Sequence, residues 1–410
     1  MKPTQWPLRL PSYTLLFLCL LQLACGRSGF DHAQCILPRP GNWTTLDTST
    51  DGTGLNQRIT VARNLSCAVG ADGTVYLAWS DDSSGIRQVY LRTWDGISWS
   101  GLANSDNEPI SSHVGVARTG GMISGDTGQI LVSWMQEGTA RGRSIYLKSW
   151  DGTSWTELAA SASAGGVSDG GGAWWPSITV DEHGTPWLAY EAHIPTGIYV
   201  RHLETTERES WVGIDGSAET GGIATDGGYF ARIAWLNQAV HVVWVQNEQI
   251  YHRWIEPYAE ATWSPSVTLG SGTSPALLRT GDSLLLAWES NEQSAVPIVV
   301  ARFSDGIWTR LPHPLVINAA AKLEAARSPR IVMWHTQPTL AISARGDGNR
   351  DIYLSRFDGT SWHAFENISH STTDSLWPTL TSHGRRIFVF WEEELAAGSA
   401  QTFGMFNQLE

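Results

Sequence analysis

The sequence predicts an all-β fold, a seven-bladed β-propeller of four-stranded antiparallel blades, and three observations carry that expectation. Only 16% of the 410 residues are charged, while Gly fills 41 positions and Trp 22, a composition that favours short strands and tight turns. One strand-like run recurs seven times: VYLAW (75–79), ILVSW (130–134), PWLAY (186–190), VHVVW (240–244), LLLAW (284–288), PTLAI (338–342) and IFVFW (387–391). Their starts lie 55, 56, 54, 44, 54 and 49 residues apart, and a period of that length points to propeller blades. Finally, the seventh unit ends at Glu410 without a Trp-bearing last strand, and the missing piece stands at the other end as GNWTTL (41–46), which matches TSWTEL (153–158).

Each unit is justified strand by strand. An inner strand precedes the repeated run, seen best in SCAVGADGT (66–74), PSITVDEHGT (176–185) and WPTLTSHG (377–384), where ADGT and DEHGT supply hairpin chemistry. The repeated run is the second strand. A polar loop leads to the third, read as QVYLRTW, SIYLKSW, GIYVRHL, QIYHRWI, PIVVARF, DIYLSRF and TFGMFNQ. Asp-Gly turns then lead to a fourth strand opening at or near Trp99, Trp155, Trp211, Trp263, Trp308 and Trp362, with Trp43 serving the last unit. An N-terminal strand that completes the last blade removes an open sheet edge. The propeller then spans 36–410 as one domain, with six blades as the alternative count. Trp79, Trp134, Tyr190, Trp244, Trp288 and Trp391 end the second strands and form, with the fourth-strand column, the packing between blades.

Ahead of the propeller, Lys2 and Arg9 precede an apolar run from Thr14 to Ala24 that is too short to span a bilayer as a helix. Residues 1–24 read as an export signal. The run ends in LQLAC, so Cys25 is a candidate for lipid modification and 25–35 a short segment before the propeller. A lipid on Cys25 would be the chain's only tie to a membrane. Outside the cell, Cys35 and Cys67 allow one disulfide. The formal net charge of −13 argues against nucleic acid as a partner. No Cys/His set has zinc spacing, and no cofactor motif is present. The chain is expected to act as a monomer.

Function is expected where second-to-third loops and blade-to-blade loops open on one face. The former are rich in acids, among them Asp81, Asp82, Glu137, Glu191, Glu289 and Glu392. The latter add Trp174, Trp175 and Trp377, which stand outside both Trp columns. Aromatic faces beside carboxylates suit a sugar ring. Glu191, Glu289, Glu392 and these three Trp are therefore the candidate ligand residues, and carbohydrate or an extracellular protein is the expected partner.

The first unit, RNLSCAVGADGTVYLAWSDDSSGIRQVYLRTWDGISW (63–99), resembles the opening of sialidases and their relatives with Asp-box repeats. That resemblance places Arg63 as the first of three arginines gripping a substrate carboxylate and Asp81 or Asp82 in the acid/base loop. Arg232 in FARIAW and Arg330 in SPRIVMW begin later inner strands and complete the set. Tyr190, Tyr199 and Tyr229 with Glu191 are the candidates for a nucleophile and its partner. In the turns of this chain Asp is followed directly by Gly, one residue shorter than the family's box. No carboxylate pair is singled out by spacing. The leading expectation is thus a non-catalytic surface binding protein, and the alternative a sialidase-like exoglycosidase.

Overall fold

A computed structural model describes residues 43–46, 54–57, 60–111, 115–125, 128–139, 142–163, 165–205, 209–224, 226–259, 261–292, 297–314, 323–346, 348–395 and 399–408. The expected export signal, Cys25 and Cys35 lie outside the described residues. Among these residues the chain is all-β, and its one helical turn is a three-residue 3-10 turn at Leu102–Asn104.

The last sheet combines β1 (Thr44–Thr45) with three strands from the far end of the chain, β25 (Ser375–His383), β26 (Arg386–Glu394) and β27 (Ala400–Gln408). The first unit is β2 (Arg63–Val69), β3 (Val75–Asp81), β4 (Gln88–Trp94) and β5 (Trp99–Ser100). The second is β6 (Ala117–Ser124), β7 (Ile130–Thr139), β8 (Gly142–Trp150) and β9 (Trp155–Thr156). The third is β10 (Ala173–Val180), β11 (Pro186–His193), β12 (Thr196–Glu204) and β13 (Ser210–Val212).

A seven-stranded sheet follows: β14 (Tyr229–Leu236), β15 (Ala239–Gln246), β16 (Gln249–Ile255), β17 (Val267–Thr280), β18 (Ser283–Ser290), β19 (Ile298–Ser304) and β20 (Ile307–Arg310). A further four-stranded sheet is β21 (Glu324–Trp334), β22 (Gln337–Arg345), β23 (Arg350–Arg356) and β24 (Glu366–Asn367). All pairs are antiparallel, and the arrangement is consistent with a β-propeller.

The seven-stranded sheet explains the short 44-residue spacing. The first half of β17 pairs with β16 as an outer strand, and its second half pairs with β18 as an inner one. The fourth strand expected at or near Trp263 is this outer half of β17. Trp263 precedes β17, whose outer half begins at Val267, and the connector found elsewhere is absent here.

Inner strands pack side by side in chain order from β2 through β6, β10, β14, β17 and β21 to β25, and β25 packs back on β2. The second-strand aromatics Trp79, Trp134, Tyr190, Trp244, Trp288 and Trp391 are all at most 2% exposed. The period-2 pleat puts the residue two positions on beside each ring. Four indoles donate to it: Trp79 to Asp81 at 2.7 Å, Trp134 to Gln136 at 2.9 Å, Trp244 to Gln246 at 3.1 Å and Trp391 to Glu393 at 2.9 Å.

Candidate functional site

Every inner strand slips register at the same place. The shifts fall between Arg63 and Ser66, Thr119 and Met122, Trp174 and Ser177, Tyr229 and Arg232, Thr273 and Ala276, Arg327 and Arg330, and Leu376 and Thr379. In six of them the extra residue has positive φ: Asn64 (59°), Trp175 (46°), Phe230 (55°), Ser274 (53°), Ser328 (52°) and Trp377 (51°). Four of these six precede proline, a combination that sterics disfavour. The bulge is thus part of the unit, while the side chain held on it changes from unit to unit.

Carboxylates hold these bulges. The bulge N–H groups of Asn64, Phe230 and Ser328 donate to Glu392 at 2.6 Å, Glu191 at 2.8 Å and Glu289 at 2.7 Å respectively. All three glutamates expected to meet ligand therefore already serve as ties between neighbouring units. Burial raises the pKa of Glu191, and burial pushes that of Glu392 up to about 7 despite the Asn64 N–H and Arg63.

The bulge register also sorts the arginines. Arg232 and Arg330 both lie two residues beyond the positive-φ residue, where the first unit has Ser66. Arg63 sits three positions earlier in the repeat and pairs with Glu392 and Glu394, each at 3.4 Å. Arg63 is therefore not the counterpart of the other two, and the three do not form a repeat-equivalent set. Arg232 and Arg330 project from strands two units apart yet act on each other electrostatically. Neither has a carboxylate within 4.0 Å among the described residues; each donates to the carbonyl preceding it, Ala231 at 2.8 Å and Pro329 at 2.9 Å. Surrounding protein lowers both pKa values, that of Arg232 to about 9, with Arg330 contributing.

Two further groups of guanidiniums were not singled out in the sequence. Arg87 is lowered by burial and by Arg118 and Arg63. Arg350 is lowered by burial and by Arg327 and Arg345. Only three of the chain's 27 cations, Lys2, Lys148 and Lys322, are lysines. The rest present the planar fork suited to carboxylates.

Between the third and fourth units lies an open cleft of about 730 Å³ lined by Trp175, Glu191, His193, Tyr229, Phe230 and Asn247, among others. Glu191 Oε1 is 3.6 Å from His193 Nε2. Of the three candidate tyrosines, Tyr229 alone lines this cleft. Tyr190 accepts from Arg201 at 3.1 Å, while Tyr199 donates to the Pro195 carbonyl at 3.0 Å. Of the three tryptophans, Trp174 is engaged by Arg143, 3.3 Å from its centroid, and by the His193 ring at 5.8 Å. Trp175 lines the cleft, and Trp377 is 51% exposed. Phe230 and His193 escaped sequence reasoning. The signal that finds Phe230 is its alignment with the Trp of WP at 175–176 and 377–378.

The candidate acids of the first unit both accept hydrogen bonds from neighbouring protein groups. Asp81 is fully buried, accepting from Trp79 and from the Ser83 N–H at 2.9 Å. Asp82 accepts from the Val61 N–H at 3.2 Å. Cys67 has no disulfide partner among the described residues, Cys35 lying outside them; its sulfur is 3.3 Å from Thr379 Oγ1, and burial pushes its pKa up to about 12. The Asp-Gly turns lie at the opposite end of the strands. Trp150, just before Asp151, pairs with Ile130, whereas Gly142 pairs with Thr139 at the loop end. Asp95, Asp151 and Asp358 each accept two backbone N–H bonds at 2.8 Å from residues two and three further on. Those bonds pull the carboxyl pKa values down and identify turn staples.

No protein-family model and no curated protein matches the chain. Among solved structures, an α-L-arabinanase of Penicillium chrysogenum complexed with arabinobiose aligns at 14% identity and TM-score 0.46, over 85% of this chain and 93% of that one. The Aleuria aurantia lectin in complex with Fucalpha1-6GlcNAc aligns at 10% and 0.43, over 84% and 91%. A Trypanosoma rangeli sialidase aligns at 12% and 0.46, over 85% of this chain and 55% of its own.

Proposed function

We propose that the chain is a seven-bladed propeller, exported and tethered or released, that binds carbohydrate carrying a carboxylate at the mouth of its axial channel without cleaving it. The seven-stranded sheet counts as two blades sharing β17, and β1 closes the last blade. The observation that carries the reading is the Arg232–Arg330 pair. Two enclosed guanidiniums with no carboxylate within 4.0 Å among the described residues suit a carboxylate better than a neutral hydroxyl. Trp175, Phe230 and Trp377 on the bulges offer faces for the sugar ring. Glu191, Glu289 and Glu392 hold backbone in place, which leaves binding as the simpler reading.

Calorimetric titration of a uronate- or sialic-acid-terminated oligosaccharide and its neutral counterpart tests this. Binding of the acidic ligand alone is expected, weakened about tenfold to a hundredfold in Arg232→Ala and Arg330→Ala, as loss of a charged hydrogen bond demands. Equal binding of the neutral sugar, or wild-type affinity in both folded variants, rejects it. Tyr229 and Glu191 share a cleft, so the same mixtures are examined for hydrolysis. Release of the terminal sugar, abolished by Tyr229→Phe, would replace binding by a sialidase-like activity.

A further inference from the structure

Five unit junctions share one construction. The fourth-strand Trp donates its indole N–H to a connector carbonyl: Trp99 to Leu46 at 3.1 Å, Trp155 to Leu102 at 3.4 Å, Trp211 to Leu158 at 2.9 Å, Trp263 to Ile214 at 3.1 Å and Trp362 to Pro312 at 2.9 Å. A branched aliphatic side chain from that connector packs into the junction each time, namely Leu46, Leu102, Leu158, Ile214 and Leu311.

The junction between the fourth and fifth units lacks this filling. There β17 passes directly from outer to inner strand, so no separate connector supplies a carbonyl to the Trp308 indole, and the aliphatic side chain that the linking segment does pack here, Leu269, stands in the pocket wall and leaves the space beside Trp308 open. Trp308 donates instead to His252 Nδ1 at 3.1 Å. His252 must then carry its proton on Nε2, which faces His241 Nδ1 at 3.1 Å. Burial keeps both rings neutral, with pKa values of about 3 for His252 and about 4 for His241. The Trp308 indole and the two imidazoles thus satisfy one another. What remains is a pocket of about 420 Å³ walled by Trp254, Leu269, Trp288, Phe303 and Trp308 over His252, with Thr268 and Arg310 also lining it. Val267 at 43% and Ile307 at 67% exposure, both in its lining, add apolar surface open to solvent.

We infer that this pocket is the docking site of a polypeptide partner that inserts one leucine or isoleucine side chain where the missing connector leaves room. The row of equivalent junctions, each seating such a side chain, identifies the occupant. On the inner wall the Trp254 indole N–H is the one donor that no other described residue occupies, so most hydroxyls of a sugar ring would lose their hydration uncompensated. At the edge, Arg310, paired with Glu292 at 2.8 Å, and the Thr268 hydroxyl stand ready for the flanking backbone. The pocket is walled by second, third and fourth strands and does not include the inner-strand bulges, so this inference does not rest on the carbohydrate reading.

The chain's own connector Leu102–Ser105 supplies the probe. Acetyl-Leu-Ala-Asn-Ser-amide, and the same peptide with Ala for Leu, are titrated into the full chain and followed by tryptophan fluorescence. Saturable binding of the first is expected, about tenfold or more weaker for the second, since burial of the leucine side chain drives it. Thr268→Trp, which fills the pocket from an exposed strand position, should melt like wild type and lose the response. Absence of binding, equal affinity for both peptides, or an unchanged response in Thr268→Trp overturns the inference. Saturable binding of methyl glycosides at this pocket in place of the peptide overturns it as well.

Discussion

Single residues in this molecule often do double duty as chemistry and scaffold, and geometry decides which role dominates. Glu392 is 2% exposed, accepts the Asn64 N–H at 2.6 Å and stands 3.4 Å from Arg63, yet burial raises its pKa to about 7. An acid whose folded-state pKa is raised holds its proton more tightly in the folded chain. Its favourable contribution is complete below about 4.5 and is lost as pH rises toward about 7. Denaturant unfolding of wild type and Glu392→Gln at pH 5 and pH 8 checks this. On moving to pH 8 the balance should shift toward the glutamine variant by on the order of 2–3 kcal/mol. A constant gap would show that the ionised carboxylate is fully compensated by Arg63 and the backbone.

At the scale of the element, the inner-strand bulge and the connector carry most of the design. The bulge gives each unit one side chain aimed away from the ladder, and the connectors seal one unit against the next. Gly222, in the connector after the third unit, has φ of +58°, and an added Cβ would lie 2.0 Å from the Ile198 carbonyl oxygen. Gly216, in the same connector, has φ of +75°, and the nearest atom to an added Cβ is a Glu219 carboxylate oxygen at 4.0 Å. Gly222→Ala should therefore cost about 2 kcal/mol or more, and Gly216→Ala only the backbone penalty of about 1 kcal/mol. Chemical denaturation distinguishes the two, and equal losses would show that the connector yields at no cost.

For the whole molecule, strands far apart in the sequence, β1 and β27, meet in one sheet. Thr44 and Thr45 pair with Phe406 and Met405, Trp43 donates to Glu366 at 3.1 Å, and Leu46 is 1% exposed. Removing residues 1–46 would bare the edge of β27 and empty two apolar sites. A melting temperature lower by about 10 °C or more, or a concentration-dependent aggregate, is expected. A shortened chain that melts like the full one would show that β1 adds nothing to the closure of the last sheet.

What the sequence by itself determined is whatever repeats locally. The second-strand aromatics, the Asp-Gly turns and the matching piece at residues 41–46 were legible because strand pleat and turn chemistry act over two to four neighbouring residues. The 44-residue spacing was legible too, although its consequence, a continuous β17 and an unfilled junction, was not. The tertiary structure alone decided which candidates share a site. A bulge shifts register without leaving a fixed residue type, so Arg63 looked equivalent to Arg232 and Arg330 while standing three positions apart from them in the repeat. Likewise the glutamates looked free in sequence, because the N–H groups that occupy Glu191, Glu289 and Glu392 belong to residues 39, 39 and 328 positions away. Side-chain roles set by partners that distant become fixed only when the units pack against one another.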